Sequence, residues 1–206
     1  MKVRLISISP KAEETIMYCA RVSNPLNQDS NNPKLIDYCI KHGHWSIFEM
    51  ANMVIEIQTS RAISAQILRH RSFSFQEFSQ RYASVQRFER YEARRQDDKN
   101  RQNSVADMSI EDQDWFQVAQ EEVEILAGHK YHEALDRGIA KEQARFLLPM
   151  TSSTTLYMNG TIRSWIHYID TRTEVGTQKE HRDIALVVKK IFIKELPIIA
   201  KAKGWV

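Results

Sequence analysis

Glycine and proline are scarce in this chain, at six and five among 206 residues. A collagen-like, low-complexity or long disordered polypeptide needs far more of both, so those classes are excluded. Cysteine is almost missing. The two that occur, Cys19 and Cys39, lie in apolar-periodic stretches without CxxC spacing, and they read as buried reduced thiols rather than a disulfide or a metal pair. That points to a reducing compartment. No apolar run approaches the roughly 20 residues of a membrane span, and MKVRLISISPKAEE reaches Glu13 and Glu14 too early to be a signal peptide. The cytoplasm is the expected location. A strong excess of one charge is also lacking: the formal net charge is +3, which suits anionic small molecules as well as nucleic acid. What is present is ordinary globular material, 42% hydrophobic and 27% charged, of a length that fits one domain over residues 1–206 with one sizeable core.

The run from Val3 to Ile8 reads as a short strand with Val3 and Leu5 on one face and Ile6 and Ile8 on the other, making apolar contacts on both sides. Ser9-Pro10 opens a helix. A second helix, from Pro33 to about His42, ends at Gly43, which accepts the left-handed cap conformation. In ANMVIEIQTS, Met53, Ile55 and Ile57 face one way and Glu56 and Gln58 the other, the pattern of a half-buried strand. Thr59 or Ser60 caps the helix that follows, whose apolar face includes Ile63 and Ile67 and which runs into RHR.

From Arg87 to Arg101 the chain is almost wholly charged, and residues 87–104 read as a solvated, mobile excursion. A long helix, capped near Ser109, carries Ile110, Trp115, Phe116, Ala119, Val123, Leu126, Ala134 and Leu135 before Gly138. A shorter helix, AKEQARFLL, stops at Pro149, and Asn159-Gly160 is expected to turn before the helical stretch TIRSWIHYIDTR. The last helix places Ile184, Val187, Val188, Ile191 and Phe192 at core spacing and stops near Pro197. Helices dominate over a few strands, so the fold class is α+β rather than alternating βαβ.

Chemistry concentrates between Gln66 and Ser84, in QILRHRSFSFQEFSQRYAS. Guanidinium groups bind phosphate oxygens in bidentate fashion, and serine hydroxyls with free amides complete such a cradle. A small phosphorylated ligand, a nucleic-acid patch with interleaved Phe73, Phe75, Phe78 and Tyr82, and a merely solvated basic helix end all fit this composition. Elsewhere, His129, His132 and Glu133 lack a third ligand at recognisable spacing and read as a half-exposed helical set rather than a zinc site, so no metal is expected. His181, among Lys179, Glu180, Arg182 and Asp183, reads as surface, and Trp165 and Tyr168 read as packing residues. Ser79 has no assignable histidine and carboxylate pair to make it a nucleophile.

The spacing is more specific than the composition. RHR, seven residues and then Ser79, with Gln66 upstream and Glu77, Arg81 and Tyr82 around the serine, resembles the signature of the flavin-dependent thymidylate synthases. Collinear matches at GHWSIFE (Gly43 to Glu49), EQARFLLP (Glu142 to Pro149) and NGTIRSWIHYIDTRTEVGTQKEHRDIA (Asn159 to Ala185) extend the resemblance over most of the chain. It implies that family's fold, a mostly helical chain around a small, largely antiparallel sheet. It also implies FAD as cofactor, at His44, Ser46, Arg69, His70, Arg71, Glu77, Thr161, Arg163 and His167. For deoxyuridylate (dUMP) it implies Gln66, Arg69, Glu77, Phe78, Ser79, Gln80, Arg81, Arg145 and Arg172. Arg172 would sit against the uracil as the catalytic residue, favouring its nitrogen-deprotonated form.

By the same resemblance, NADPH and 5,10-methylenetetrahydrofolate are co-substrates, the product is thymidylate (dTMP), and the enzyme is a homotetramer with sites between subunits. No nucleic-acid or membrane partner is implied. Seen alone, Arg145 and Arg172 would pass for salt-bridge residues. The bland setting of both cysteines disfavours a covalent thiolate route, and a 206-residue chain is small to enclose FAD, dUMP and folate by itself.

Overall fold

In the computed structural model, which describes residues 1–85 and 87–206, the fold is α+β: helices pack on a four-stranded antiparallel sheet. Its strands are β1 (Lys2–Ile8), β2 (Asn52–Ser60), β3 (Ser74–Glu77) and β6 (Ser153–Thr161), in the spatial order β1-β2-β6-β3. A small ribbon pairs β4 (Arg95–Gln96) with β5 (Ser104–Val105). The helices are α1 (Ala12–Ala20), α2 (Lys34–Lys41), α3 (Arg61–Ile67), α4 (Ile110–Asp136), α5 (Lys141–Ala144), α6 (Ile162–Arg172), α7 (Lys179–Glu195) and α8 (Pro197–Ala202).

Period-two patterning places the core. Met53, Ile55 and Ile57 of β2 and Leu156 and Met158 of β6 are fully buried against Ile16, Trp165, Ile169, Val188 and Phe192 from the helices. The Trp165 indole N–H donates to the Met53 carbonyl at 2.9 Å, which ties α6 to β2. On the opposite face, Glu56 is buried rather than solvated. Its carboxylate takes two bonds from Arg4 across the strand pair, at 2.7 and 2.8 Å.

Several expectations change. A register shift between Leu5 and Ser7 brings Val3, Leu5 and Ile8 together opposite Ile57, Ile55 and Met53, and leaves Ile6 44% exposed. One irregularity therefore converts an apparently two-sided strand into a one-sided one. Asn159 and Gly160 make no turn: they lie inside β6, paired with Val54 and Met53. The glycine is needed because a side chain there would run into the Phe73 ring. α1 begins two residues beyond Pro10, and Pro197, expected as a stop, opens α8. Gly43 does end α2, with φ +69°.

The 87–104 segment is anchored rather than merely solvated. Side-chain amides of Gln113, Gln117 and Gln120 on α4 bond the backbone of Tyr91 and Ala93, while Arg90 pairs with Glu124 and Arg95 with Asp107, each at 2.8 Å. The glutamine bonds and the Arg90 pair therefore fix it to α4. That helix is capped by Ser109 as expected, but its polar side faces its own chain. Ile110, Trp115, Val123, Ile125 and Leu126 are exposed, Trp115 to 69%.

The close approach at Gly160 gives a direct test. Gly160→Ala should force the Phe73 ring aside and destabilise the chain by about 1–3 kcal/mol, read as a lower urea midpoint at fixed protein concentration. An unchanged midpoint contradicts this account of the glycine.

Candidate active site

Both β2 and β6 pass straight into helices. Ser60 accepts from the Ile63 N–H to start α3, and Thr161 from the Ser164 N–H to start α6. Because the strands are antiparallel, these helices leave opposite ends of the ladder. α3 then returns toward the α6 end, since Ser74, just beyond its C-terminal turn, pairs with Asn159. Arg69, His70, Arg71 and Ser72 are thereby delivered to the first turns of α6, where the Ser164 hydroxyl donates to the Ser72 carbonyl at 3.1 Å.

A pocket of about 540 Å³ opens at this end, lined by Trp45, Glu49, Ser72, Arg163, His167 and Asp170 among others. Arg163 and His167 lie one helical turn apart on α6, and Arg163 pairs with Glu49. His44 and Ser46 flank Trp45 and are exposed. The acidic groups nearby are already engaged, Glu49 by Arg163 and Asp170 by Lys203, so exposed Arg69 and Arg71 have no ion-pair partner among the described residues. Two uncompensated guanidiniums beside a pocket with an aromatic wall fit a flavin dinucleotide, whose diphosphate needs cations and whose ring needs an apolar surface. The Thr161 hydroxyl is occupied as a helix cap.

The last residue of α6, Arg172, meets His70. Its Nε donates to His70 Nε2 at 2.9 Å, so the neutral imidazole carries its own proton on Nδ1. Burial, then the charge of Arg172 and the proximity of His167, lowers the His70 pKa from 6.5 to about 4. Behind it, Tyr168 and His181 are fully buried, with His181 Nε2 3.2 Å from the Tyr168 hydroxyl. The His181 pKa falls to about 3, mainly through burial and then through Arg172 and His70. Near neutral pH the positive charge of this cluster therefore resides on Arg172.

A second group forms at the other end of α3. Glu77 accepts from Ser64 at 2.6 Å and Thr154 at 2.9 Å and pairs with Arg61 at 2.8 Å, while Arg61 also donates to the Phe78 carbonyl. These bonds fix the loop from Phe78 to Arg81. The Ser79 hydroxyl accepts from the Arg81 N–H at 3.3 Å, which leaves its own proton free to donate. Arg81 pairs with Glu142 at 3.1 Å, and Arg145 donates to the Glu142 carbonyl. Gln80 and Arg145 line a small pocket of about 230 Å³.

The residues read from the sequence thus fall into two groups. Gln66, bonded to Gln178 at the start of α7, joins Arg69–Arg71, Arg163, His167 and Arg172; Glu77–Arg81 and Arg145 stand apart. The seven residues of α3, roughly 10 Å of helix, separate them. His181 corrects the reading as a surface residue: it is fully buried, at core spacing with Ile184, Ala185, Val188 and Phe192. That spacing was its signal, masked by four charged neighbours.

Comparison with known proteins gives a consistent result. Residues 4–198 match the family described as thymidylate synthase complementing protein. A probable flavin-dependent thymidylate synthase of Paramecium bursaria Chlorella virus 1 is 55% identical over the full length of both chains. The flavin-dependent thymidylate synthase of Synechocystis sp. is 52% identical, again over all of each chain. The fold is also that of a UMP/dUMP methylase from Streptomyces cacaoi, solved with 5-Br dUMP: the TM-score is 0.88 at 24% identity, covering 98% of this chain and 93% of that one.

The two depressed imidazoles set a pH dependence. In the unfolded chain they charge below about 6.5, whereas in the folded chain His70 resists to about 4 and His181 to about 3. Stability that depends on their neutrality is complete above pH 6.5 and is lost as pH falls toward those values. The thermal midpoint at fixed concentration should therefore drop between pH 6.5 and 4, and His181→Leu should make that drop shallower. Equal slopes contradict the assignment.

Proposed function

The chain belongs to the thymidylate synthase complementing family, that of the flavin-dependent thymidylate synthases, and on that premise we propose how its own residues carry the reaction. The activity is flavin-dependent methylation of dUMP to dTMP. In our reading FAD is the flavin, NADPH its reductant and 5,10-methylenetetrahydrofolate the carbon donor, in the cytoplasm. When bound, FAD supplies the reducing equivalents that turn the transferred carbon into a methyl group.

The observation that carries the reading is Arg172. Its guanidinium rests on a neutral imidazole and has no carboxylate partner among the described residues. Its full charge is available to a uracil ring that becomes anionic when its ring nitrogen loses a proton, and a fixed cation at that point stabilises charge as it develops. No protein nucleophile is required. Burial raises the Cys39 thiol above its usual range, which works against a thiolate.

Arg69, Arg71, Arg163 and His167, with exposed His44 and Ser46 at the rim, are the residues we assign to FAD. Gln66 and Arg69 face the nucleotide from the same side. Ser79, Gln80 and Arg81, on the loop that Glu77 and Phe78 anchor, and Arg145, just after α5, supply donors for its phosphate: Arg81 pairs with the Glu142 carboxylate, Arg145 bonds the Glu142 main-chain carbonyl, and the Ser79 proton is free. Glu77 acts here by holding the loop, since Arg61, Ser64 and Thr154 already engage its carboxylate.

A homotetramer with sites shared between subunits completes the reading. The observation that supports it is the stripe that α4 exposes, including Trp115 and Leu126, which an assembly would cover.

Arg172→Ala should reduce methylation, read as tritium release from carbon 5 of labelled dUMP, by about 100-fold or more, with FAD content and flavin reduction by NADPH preserved. Undiminished tritium release, or loss of FAD, overturns the assignment.

A further inference from the structure

The buried face behind His70 contains a polar group that packing does not explain. His181 is fully buried on α7, and its Nδ1 has no partner among the described residues. A leucine would fill the position without leaving a ring nitrogen unpaired. Its Nε2 lies 3.2 Å from the Tyr168 hydroxyl, the one polar partner the ring has among the described residues.

Tyr168, His181 and Phe73 form a corner around His70. Their ring centroids lie 5.0, 6.0 and 6.3 Å from that of His70, at interplanar angles of 73°, 89° and 90°. All three contacts are edge-on, an arrangement favoured between aromatic rings, and together they restrict the tilt of His70. The remaining constraint on His70 is its bond from Arg172. Removing the Tyr168–His181 wall therefore frees both the imidazole and the guanidinium it supports.

We propose that His181, acting through Tyr168, is a positioning residue for the methylation: it fixes the tilt of His70 and, through it, the bond between His70 and Arg172 that presents Arg172 to the uracil. The low proton affinities of His70 and His181 agree with this, because a second positive charge beside Arg172 would repel it. The proposal rests on the reading of Arg172 as the uracil-facing group.

The test uses the FAD-loaded enzyme with two substitutions, His181→Leu and Tyr168→Phe, the second deleting only a hydroxyl so that folding is spared if the first fails. Both should lower kcat for dUMP methylation by about tenfold, as expected for small misplacements of a catalytic group, while the KM for dUMP and the rate of flavin reduction by NADPH stay within about twofold. In histidine-labelled protein, the nitrogen resonances of His70 should report the Nδ1–H tautomer in the parent and a mixture in both variants. The proposal is overturned if kcat and the His70 resonances are unchanged. It is equally overturned if kcat, KM and FAD content fall in step, as a purely structural role predicts. Failure of the functional reading looks different: the parent enzyme itself would release no tritium from dUMP, whatever tautomer His70 adopts. In that event the resonances alone decide whether His181 positions His70.

Discussion

The ladder between β2 and β6, paired from Asn52–Thr161 to Ser60–Ser153, launches a helix from each end without an intervening loop. Each launch is made by a hydroxyl cap, Ser60 or Thr161, that satisfies a backbone N–H which the new helix would otherwise leave unpaired. The antiparallel sense decides the rest. α6 starts where α3 finishes, so the RHR turn meets Arg163, His167 and Arg172, while the return along β3 carries Glu77 and the phosphate-loop donors back beside Arg61. Gly160 lets this junction close, because the Phe73 ring occupies the space its side chain would need.

Electrostatics then separate the two ends by how their charges are balanced. At the α6 end, two arginines are exposed without carboxylate partners among the described residues, and burial keeps the neighbouring imidazoles neutral. Positive charge at this end is thus left uncompensated, while competing charge is removed from the ring system that supports Arg172. At the loop end the carboxylates are committed: Glu77 holds the backbone in place through Arg61, and Glu142 pairs with Arg81. In the 87–104 segment, Arg90, Arg94 and Arg95 are likewise paired, with Glu124, Glu92 and Asp107.

Much of this was legible in the sequence because local chemistry decided it. Ser60 and Ser109 start helices and Gly43 ends one for reasons that need no distant partner, and Met53, Ile55 and Ile57 alternate as a buried strand must. Misreadings arose where a distant residue decided. Gly160 resembled a turn residue, yet its cause is Phe73, far away in sequence; Glu56 looked solvent-facing until Arg4 crossed over it. His181 was obscured because its charged neighbours dominate a short window while its own contacts come from α6 and the RHR turn. On α4 the helix and its Ser109 cap are legible, but which side faces the chain is set by glutamines that bind the backbone of residues 91–93. The candidate site residues come only from spacing that matches a family; composition leaves a nucleotide and a nucleic acid on similar footing, with plain solvent close behind.

The central claim is the proposal that Arg172 and the loop from Ser79 to Arg81, placed toward opposite ends of α3, serve one nucleotide site from different copies of the chain. Mixing two inactive variants, Arg172→Ala and Arg81→Ala, under conditions that allow subunits to exchange tests this most directly. The account predicts that dUMP methylation reappears in the mixture, since some mixed sites receive an intact Arg172 from one chain and an intact Arg81 from another. Verified subunit exchange without any recovered activity would contradict it.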